Sequence, residues 1–258
     1  MRAYRYLYEQ MVRRELRQKY KGSALGVLYY LINPLVLMVA YAIMTKYVLR
    51  FDAIDDYPLF LLIGIGTWLF FSQSLMASAS SLIDQSSLVR KVRFPREIVP
   101  AAVVSVQFVI FIVLIALLTP VAVAVRGTLD PALLLLPLVL ALFGAFALGL
   151  GLMVSVLHAY YRDVAPILSA LLLPWFFISP IFFRTTDFPG LDEYPWLGDL
   201  LRWGNPVAPF IEAVRAVLYD GQSPGAATLA YVVAATALAL LAGRALFRRM
   251  ESELAVVL

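Results

Sequence analysis

Residues 98–125 read IVPAAVVSVQFVIFIVLIALLTPVAVAV, 28 positions without one charged side chain. About 20 apolar residues in a helix cross the hydrocarbon of a bilayer, so this stretch is long enough to span a membrane. Five more stretches without Asp, Glu, Lys or Arg lie at 24–45, 57–83, 131–157, 164–183 and 224–243. The expected fold is therefore an all-α integral membrane protein with six transmembrane helices, forming a single transmembrane domain over 1–258. Composition agrees. Of the 258 residues 62% are hydrophobic and 15% charged, and the mean hydropathy is +0.84, whereas soluble domains run about 45–50% apolar and about 25% charged. A soluble enzyme is excluded on that ground. The chain has no cysteine, which removes disulfide scaffolds, thiolate catalysis and Cys-ligated zinc.

The loops set the expected orientation, because Lys and Arg are retained on the cytoplasmic side. Residues 1–23, 84–97, 158–163 and those after 243 hold 15 of the 21 Lys and Arg. Both termini are thus expected in the cytoplasm of a cell whose inner membrane holds the chain. The first 23 residues carry seven basic side chains and no continuous apolar core, so no cleavable signal peptide is expected there.

The spans lack chemistry of their own. Ion-coupled carriers need ionisable groups at membrane depth, yet Lys46 and Arg244 stand only at span ends. The single histidine, His158, lies at the end of the fourth span beside Tyr160 and Tyr161. It reads as an interfacial residue rather than a metal ligand. A phosphate-binding loop needs a Gly-Lys pair, and the sequence has none. No catalytic residue, metal, cofactor or nucleic-acid partner is expected for this chain, and any driving force must be imported.

Four segments have a more particular character. Over 1–23, Tyr4, Leu7, Tyr8, Met11, Val12 and Leu16 share one half of a helical wheel, against Arg13, Arg14, Arg17 and Lys21. Arg5 and Lys19 intrude on the apolar half. This is an amphipathic interface helix, suited to anionic headgroups or to a cytoplasmic partner. Residues 88–100 read LVRKVRFPREIVP. A loop that only orients the topology needs charge but no ordered apolar side chains. Here Arg90, Lys91, Arg93 and Arg96 alternate with Val89, Val92 and Phe94, and a short helix would project those three into a partner. Pro95 and Glu97 suit the start of the next helix.

Residues 184–223 are too apolar for a plain loop, and 196–203 and 206–219 are too short to span. Phe210, Val214, Val217 and Leu218 fall on one face, and Glu212 and Arg215, three apart, are placed to pair. Trp196 and Trp203 flank the first piece. Among the aromatic residues, Trp68, Phe71, Trp175 and Phe176 are the candidates to line a conduit. Ala141, Ala145 and Gly149 recur at four-residue spacing, which favours close helix approach. Asn33-Pro34, Pro166, Pro174 and Pro180 predict kinks, and Asp163 is placed to cap the fifth span.

The chain resembles a known family at these segments: the membrane-spanning subunits of type-2 ABC exporters of lipid-linked polysaccharides such as O-antigen, capsule or teichoic acid. The matching stretches are RELRQKYKGSALGVLYYLINPL at 14–35, LVRKVRFPREIVP at 88–100, YRDVAPILSALLLPWFFISPIFF at 161–183 and NPVAPFIEAVRAVLYDG at 205–221. The resemblance implies a homodimer docked on two separate ATPase subunits, which bind ATP and Mg. It assigns 89–97, from Val89 to Glu97, as the coupling contact with the ATPase, with Arg13, Arg14, Arg17, Lys19 and Lys21 beside it. It makes 184–223, with Trp196, Trp203, Phe210, Glu212, Val214 and Arg215, an outer gate. Two other readings stay open here, namely an exporter of a drug, lipid or small amphiphile, and an integral membrane enzyme or scaffold.

Overall fold

The computed structural model describes residues 2–20, 29–44, 54–92, 94–185 and 194–254. The described residues are helical without a strand. In chain order the helices are α1 (Arg2–Tyr20), α2 (Tyr29–Ile43), α3 (Tyr57–Asp84), α4 (Ser86–Lys91), α5 (Ile98–Arg126), α6 (Leu136–Tyr160), α7 (Val164–Ile178), α8 (Pro195–Asp199), α9 (Ala208–Leu218) and α10 (Ala226–Met250). A 3₁₀ turn, Pro131–Leu135, leads into α6, and a π turn, Leu200–Gly204, follows α8.

Among the described residues four segments are long and apolar enough to cross a membrane: Tyr57–Asp84, Ile98–Arg126, Pro131–Tyr160 and Ala226–Met250. The six-span expectation is met only to that extent. At about 1.5 Å per residue the 15-residue α7 reaches about 22 Å, short of the hydrocarbon thickness. It stops at Ile178, not Phe183, because Pro180 disfavours helical backbone at Ser179, which is extended at φ −75° and ψ 146°. The 15 described residues of α2 are likewise short, and the rest of the expected 24–45 span lies outside the described residues. The last span runs longer than expected, carrying Arg244, Arg248 and Arg249 on its final turns.

The bundle is built around α3, buried from Leu59 to Leu82 and packed on α5 and α6. Its small residues explain the tight fit. A side chain at Gly66 would strike Leu114 of α5, and one at Gly151 of α6 would strike Ser78 of α3. The most extensive helix pair is α6 with α10. There Gly149 and Gly243 lie backbone to backbone, and a Cβ on either would overlap the other helix's main chain. Of the spaced small residues Gly149 makes this approach, while Ala141 is exposed and Ala145 half-buried.

Aromatic rings fill the core. Phe70 stacks on Phe111 at 4.8 Å, and Phe210 of α9 inserts against Phe143 and Phe146 of α6 at 4.9 and 4.7 Å. A second, smaller core lies at the end of the bundle that holds α1, α4 and the last turns of α10. This is the basic end. The opposite end carries α8 and α9.

Candidate functional site

The basic end is assembled from segments distant in sequence. The apolar stripe of α1 turns Met11 into the small core, and Tyr8 hydrogen-bonds Ser105 of α5 at 2.6 Å. Arg13, Arg14 and Arg17 are left exposed on the outer face. Gln85, between α3 and α4, donates to Glu15 at 3.1 Å. Between α1 and α3 lies a hollow of about 320 Å³ edged by Arg14, Lys19, Ser80 and Gln85. Burial pulls the Lys19 ammonium down to about 8, against the raising effect of nearby Glu15. Lys21 lies outside the described residues.

Helix α4 is the short helix expected in the basic loop, but its orientation corrects the sequence reading. Val89 and Phe94 do not project outward: they are 1% and 8% exposed and pack with Met11, Leu82, Val156 and Phe247. A helical period fixes which residues share a face, not whether that face meets the chain's own core. Arg90, Lys91, Val92 and Pro95 form the exposed surface. Arg93 lies outside the described residues.

Two further members of the loop are engaged within the chain. The Arg96 guanidinium donates to the Glu251 carbonyl and its backbone N–H to the Glu251 carboxylate at 3.2 Å. Glu97 sits 3.4 Å from Arg248 and 3.8 Å from Arg244. The start of α5 is thereby tied to the end of α10. Pro95 sits in the turn before α5, and Glu97 occupies the N-cap position but makes no side-chain cap bond.

His158 is buried at this same end, and its Nδ1 accepts the Ala165 N–H at 3.2 Å. It serves the first turn of α7, the role that sequence reasoning gave to Asp163, which makes no side-chain cap bond. Seven residues of separation put the imidazole beyond any local capping pattern.

The opposite end centres on α9, too short to span and buried on nearly every side. Phe210, Val214, Val217 and Leu218 do share a buried face. Arg215 does not pair with Glu212, however. Its guanidinium donates to the carbonyls of Pro180, of Ile181 at 2.6 Å and of Phe60 at 3.1 Å, and lies 3.5 Å over the Phe60 ring. Gly64 makes this possible, because a Cβ there would strike the guanidinium. Burial pushes the guanidinium down, to about 9, so it stays cationic at neutral pH.

Glu212 instead accepts from Arg202 at 2.9 Å and from Thr185 at 2.5 Å. Arg184 pairs with Asp220 at 2.7 Å, and that hydrogen bond raises its pKa further. Trp196 is exposed, and Trp203 is half-buried beneath Arg202, 4.7 Å from its ring.

Asn205, unremarked in the sequence, joins α7 to α9. Its Oδ1 accepts from Trp175 Nε1 at 2.9 Å and from the Val207 N–H at 3.1 Å, and its Nδ2 donates to Ser179 at 2.9 Å. The Asn-Pro pair was the available signal. Of the four conduit candidates, Phe71 is fully buried among Trp68, Phe143, Phe146 and Trp175. Trp68 and Phe176 edge a groove of about 400 Å³ between α2, α3 and α7, with Gln73 and Ser169. Trp175 is half-buried, its indole N–H committed to Asn205.

The sequence profile described as ABC-2 type transporter matches residues 6–219. The chain belongs to that family. It is therefore the membrane component of a transporter, and all of α2 through α9, with α1 from Tyr6 onward, fall within the matched region. Among curated relatives of this ABC-2 chain, the O-antigen export system permease protein RfbA of Myxococcus xanthus is 29% identical, with 98% of this chain and 95% of that protein covered. An RfbA of Klebsiella pneumoniae is 28% identical, covering 84% of this chain and 82% of its own length. The polysialic acid transport protein KpsM of Escherichia coli is 26% identical, with 95% and 94% covered.

Proposed function

We propose that this ABC-2 chain is the permease subunit of an ATP-driven exporter of a lipid-linked polysaccharide. The observation that carries the reading is the near full-length likeness to proteins named as O-antigen export permeases, joined to long helices whose ionisable groups stand only at their ends. Long helices that, among the described residues, hold no charged group away from their ends offer no relay for an ion gradient. Such a bundle needs a partner that hydrolyses ATP.

In this reading α2 and α7 complete six crossings, and the basic end faces the cytoplasm. Two ATPase subunits, holding ATP and Mg, dock against Arg90, Lys91, Val92 and Pro95, with Arg13, Arg14 and Arg17 beside them. Their closure is passed to α10 through Arg96, Glu97, Arg248 and Glu251, and from α10 to α6 through the Gly149–Gly243 contact. Two copies of the chain face each other across the groove between α2, α3 and α7. Helices α8 and α9 close the outer end.

The test is deletion of the gene in its own host, with surface polysaccharide read by gel and antibody or lectin. The expected result is loss of surface polymer with its lipid-linked form retained inside, restored by the chain only when its ATPase is present. Unchanged surface polymer would overturn the proposal.

A further inference from the structure

At the α9 end, a cavity of about 190 Å³ lies between α9, residues 180–185 and the start of α10. Three guanidinium groups border it, from Arg184, Arg202 and Arg215, against two carboxylates, Glu212 and Asp220. Both carboxylates are taken by hydrogen bonds from Arg184 and Arg202. Arg215, 5% exposed, makes no ion pair among the described residues, and its Nε has no hydrogen-bond partner. The cavity also reaches Gly225 and Thr228, in the first turn of the 25-residue α10, which no side chain caps. The free N–H groups of such a turn carry about half a positive charge. The surplus is therefore one full charge and part of a second, walled in by protein.

Arg215 touches neutral carbonyls and the Phe60 ring, while the nearby Glu212 and Asp220 carboxylates are committed to Arg202 and Arg184, and a buried cation so placed is costly unless an anion meets it. A monoanion leaves about half a positive charge and a dianion about half a negative one, so the rest of the lining decides which anion fits. The remaining lining suits a sugar ring: Thr185, Thr228 and Glu212 offer oxygens to hydroxyl groups, while Pro180, Phe183 and Pro224 supply apolar wall. We propose that this cavity is a binding subsite for a carboxylate-bearing sugar residue of the exported polymer. The inference rests on the polysaccharide reading above and adds the acidic sugar and its place. Arg184 and Arg202, partly exposed at 38% and 37%, stand at the mouth and exchange part of their internal pairing for the ligand carboxylate.

The test uses the full chain in nanodiscs of uncharged-net phosphatidylcholine, with glucuronate, glucose and inorganic phosphate as separate probes followed by ligand-detected NMR titration. Glucuronate is expected to bind at least about tenfold more tightly than glucose, the difference a charge-assisted hydrogen bond makes. R202Q and R184Q are each expected to weaken glucuronate about tenfold and to leave glucose unchanged. Equal binding of the two sugars, no glucuronate binding, or no effect of either variant on it would overturn the subsite. Tighter binding of phosphate than of glucuronate would overturn it too and assign the cavity to a phosphate group. Should a variant fail to fold, the ranking of the three probes on the native chain decides alone. Surface polymer in the deletion strain tests export separately, so failure of the subsite with export intact is distinguishable from failure of the export reading.

Discussion

Replacing Phe94 and Val92 by alanine, one at a time, separates packing from contact in the basic segment. Phe94 is 8% exposed in the small core with Val89, Val99 and Phe247, whereas Val92, two positions earlier, is 46% exposed. A phenylalanine buries about 150–250 Å², which at about 25 cal/mol/Å² corresponds to about 4–6 kcal/mol. The extended-chain reference overstates burial, and truncations of buried Phe cost about 3–5 kcal/mol. About 4 kcal/mol is expected for F94A, because this core lies at the watery end of the helices, where apolar side chains gain from leaving solvent.

For a chain of this length about 2–4 °C accompanies each kcal/mol, so F94A is expected to lower the melting temperature by about 8–16 °C. V92A should shift it by less than about 2 °C, since exposed substitutions fall within about 0.5 kcal/mol. Tryptophan fluorescence during heating of the detergent-solubilised chain supplies the measurement, and pull-down of the ATPase subunit supplies the second readout. V92A is expected to weaken capture of the ATPase while leaving the melt intact. A melt of F94A indistinguishable from that of the native chain would refute the inward packing of α4.

Other outcomes follow from the same contacts. G243A places a methyl group against the Gly149 carbonyl and is expected to destabilise the chain by about 1–3 kcal/mol; G225A, with open space around it, serves as the control in the same melt. R215K keeps the buried charge but loses the fork that reaches the Phe60, Pro180 and Ile181 carbonyls; a loss of about 1–3 kcal/mol is expected, and an unchanged melt would count against the arrangement. Lys19 is held down to about 8 by burial, so the unfolded chain binds more protons than the folded one between about pH 8 and 10.5, and stability should rise across that window. K19Q should remove that part of the rise, seen as the difference between the two melting curves against pH.

The four long helices were legible because a membrane crossing must satisfy its backbone within itself and exclude charge over its whole length, and 57–83, 98–125, 131–157 and 224–243 are free of charged residues. The short basic helix and the buried face of α9 were legible as periodicity. Local spacing misled where the partner was remote. Glu212 and Arg215 are three apart, yet one bonds Arg202 and Thr185 and the other bonds carbonyls 34, 35 and 155 positions away. Asp163 stood at the place for a cap, and His158 performs it.

By itself, then, the sequence determined that this chain carries several helices long and apolar enough to cross a bilayer and which segments are basic, because those properties are sums over neighbouring residues. Only the tertiary structure decided which face of each helix turns inward, sending Val89, Phe94 and Phe71 to the core, gathering three arginines around one cavity and locking α6 to α10 at Gly149 and Gly243. The reason is that burial and pairing depend on what another helix presents at the same height, and no local period carries that information.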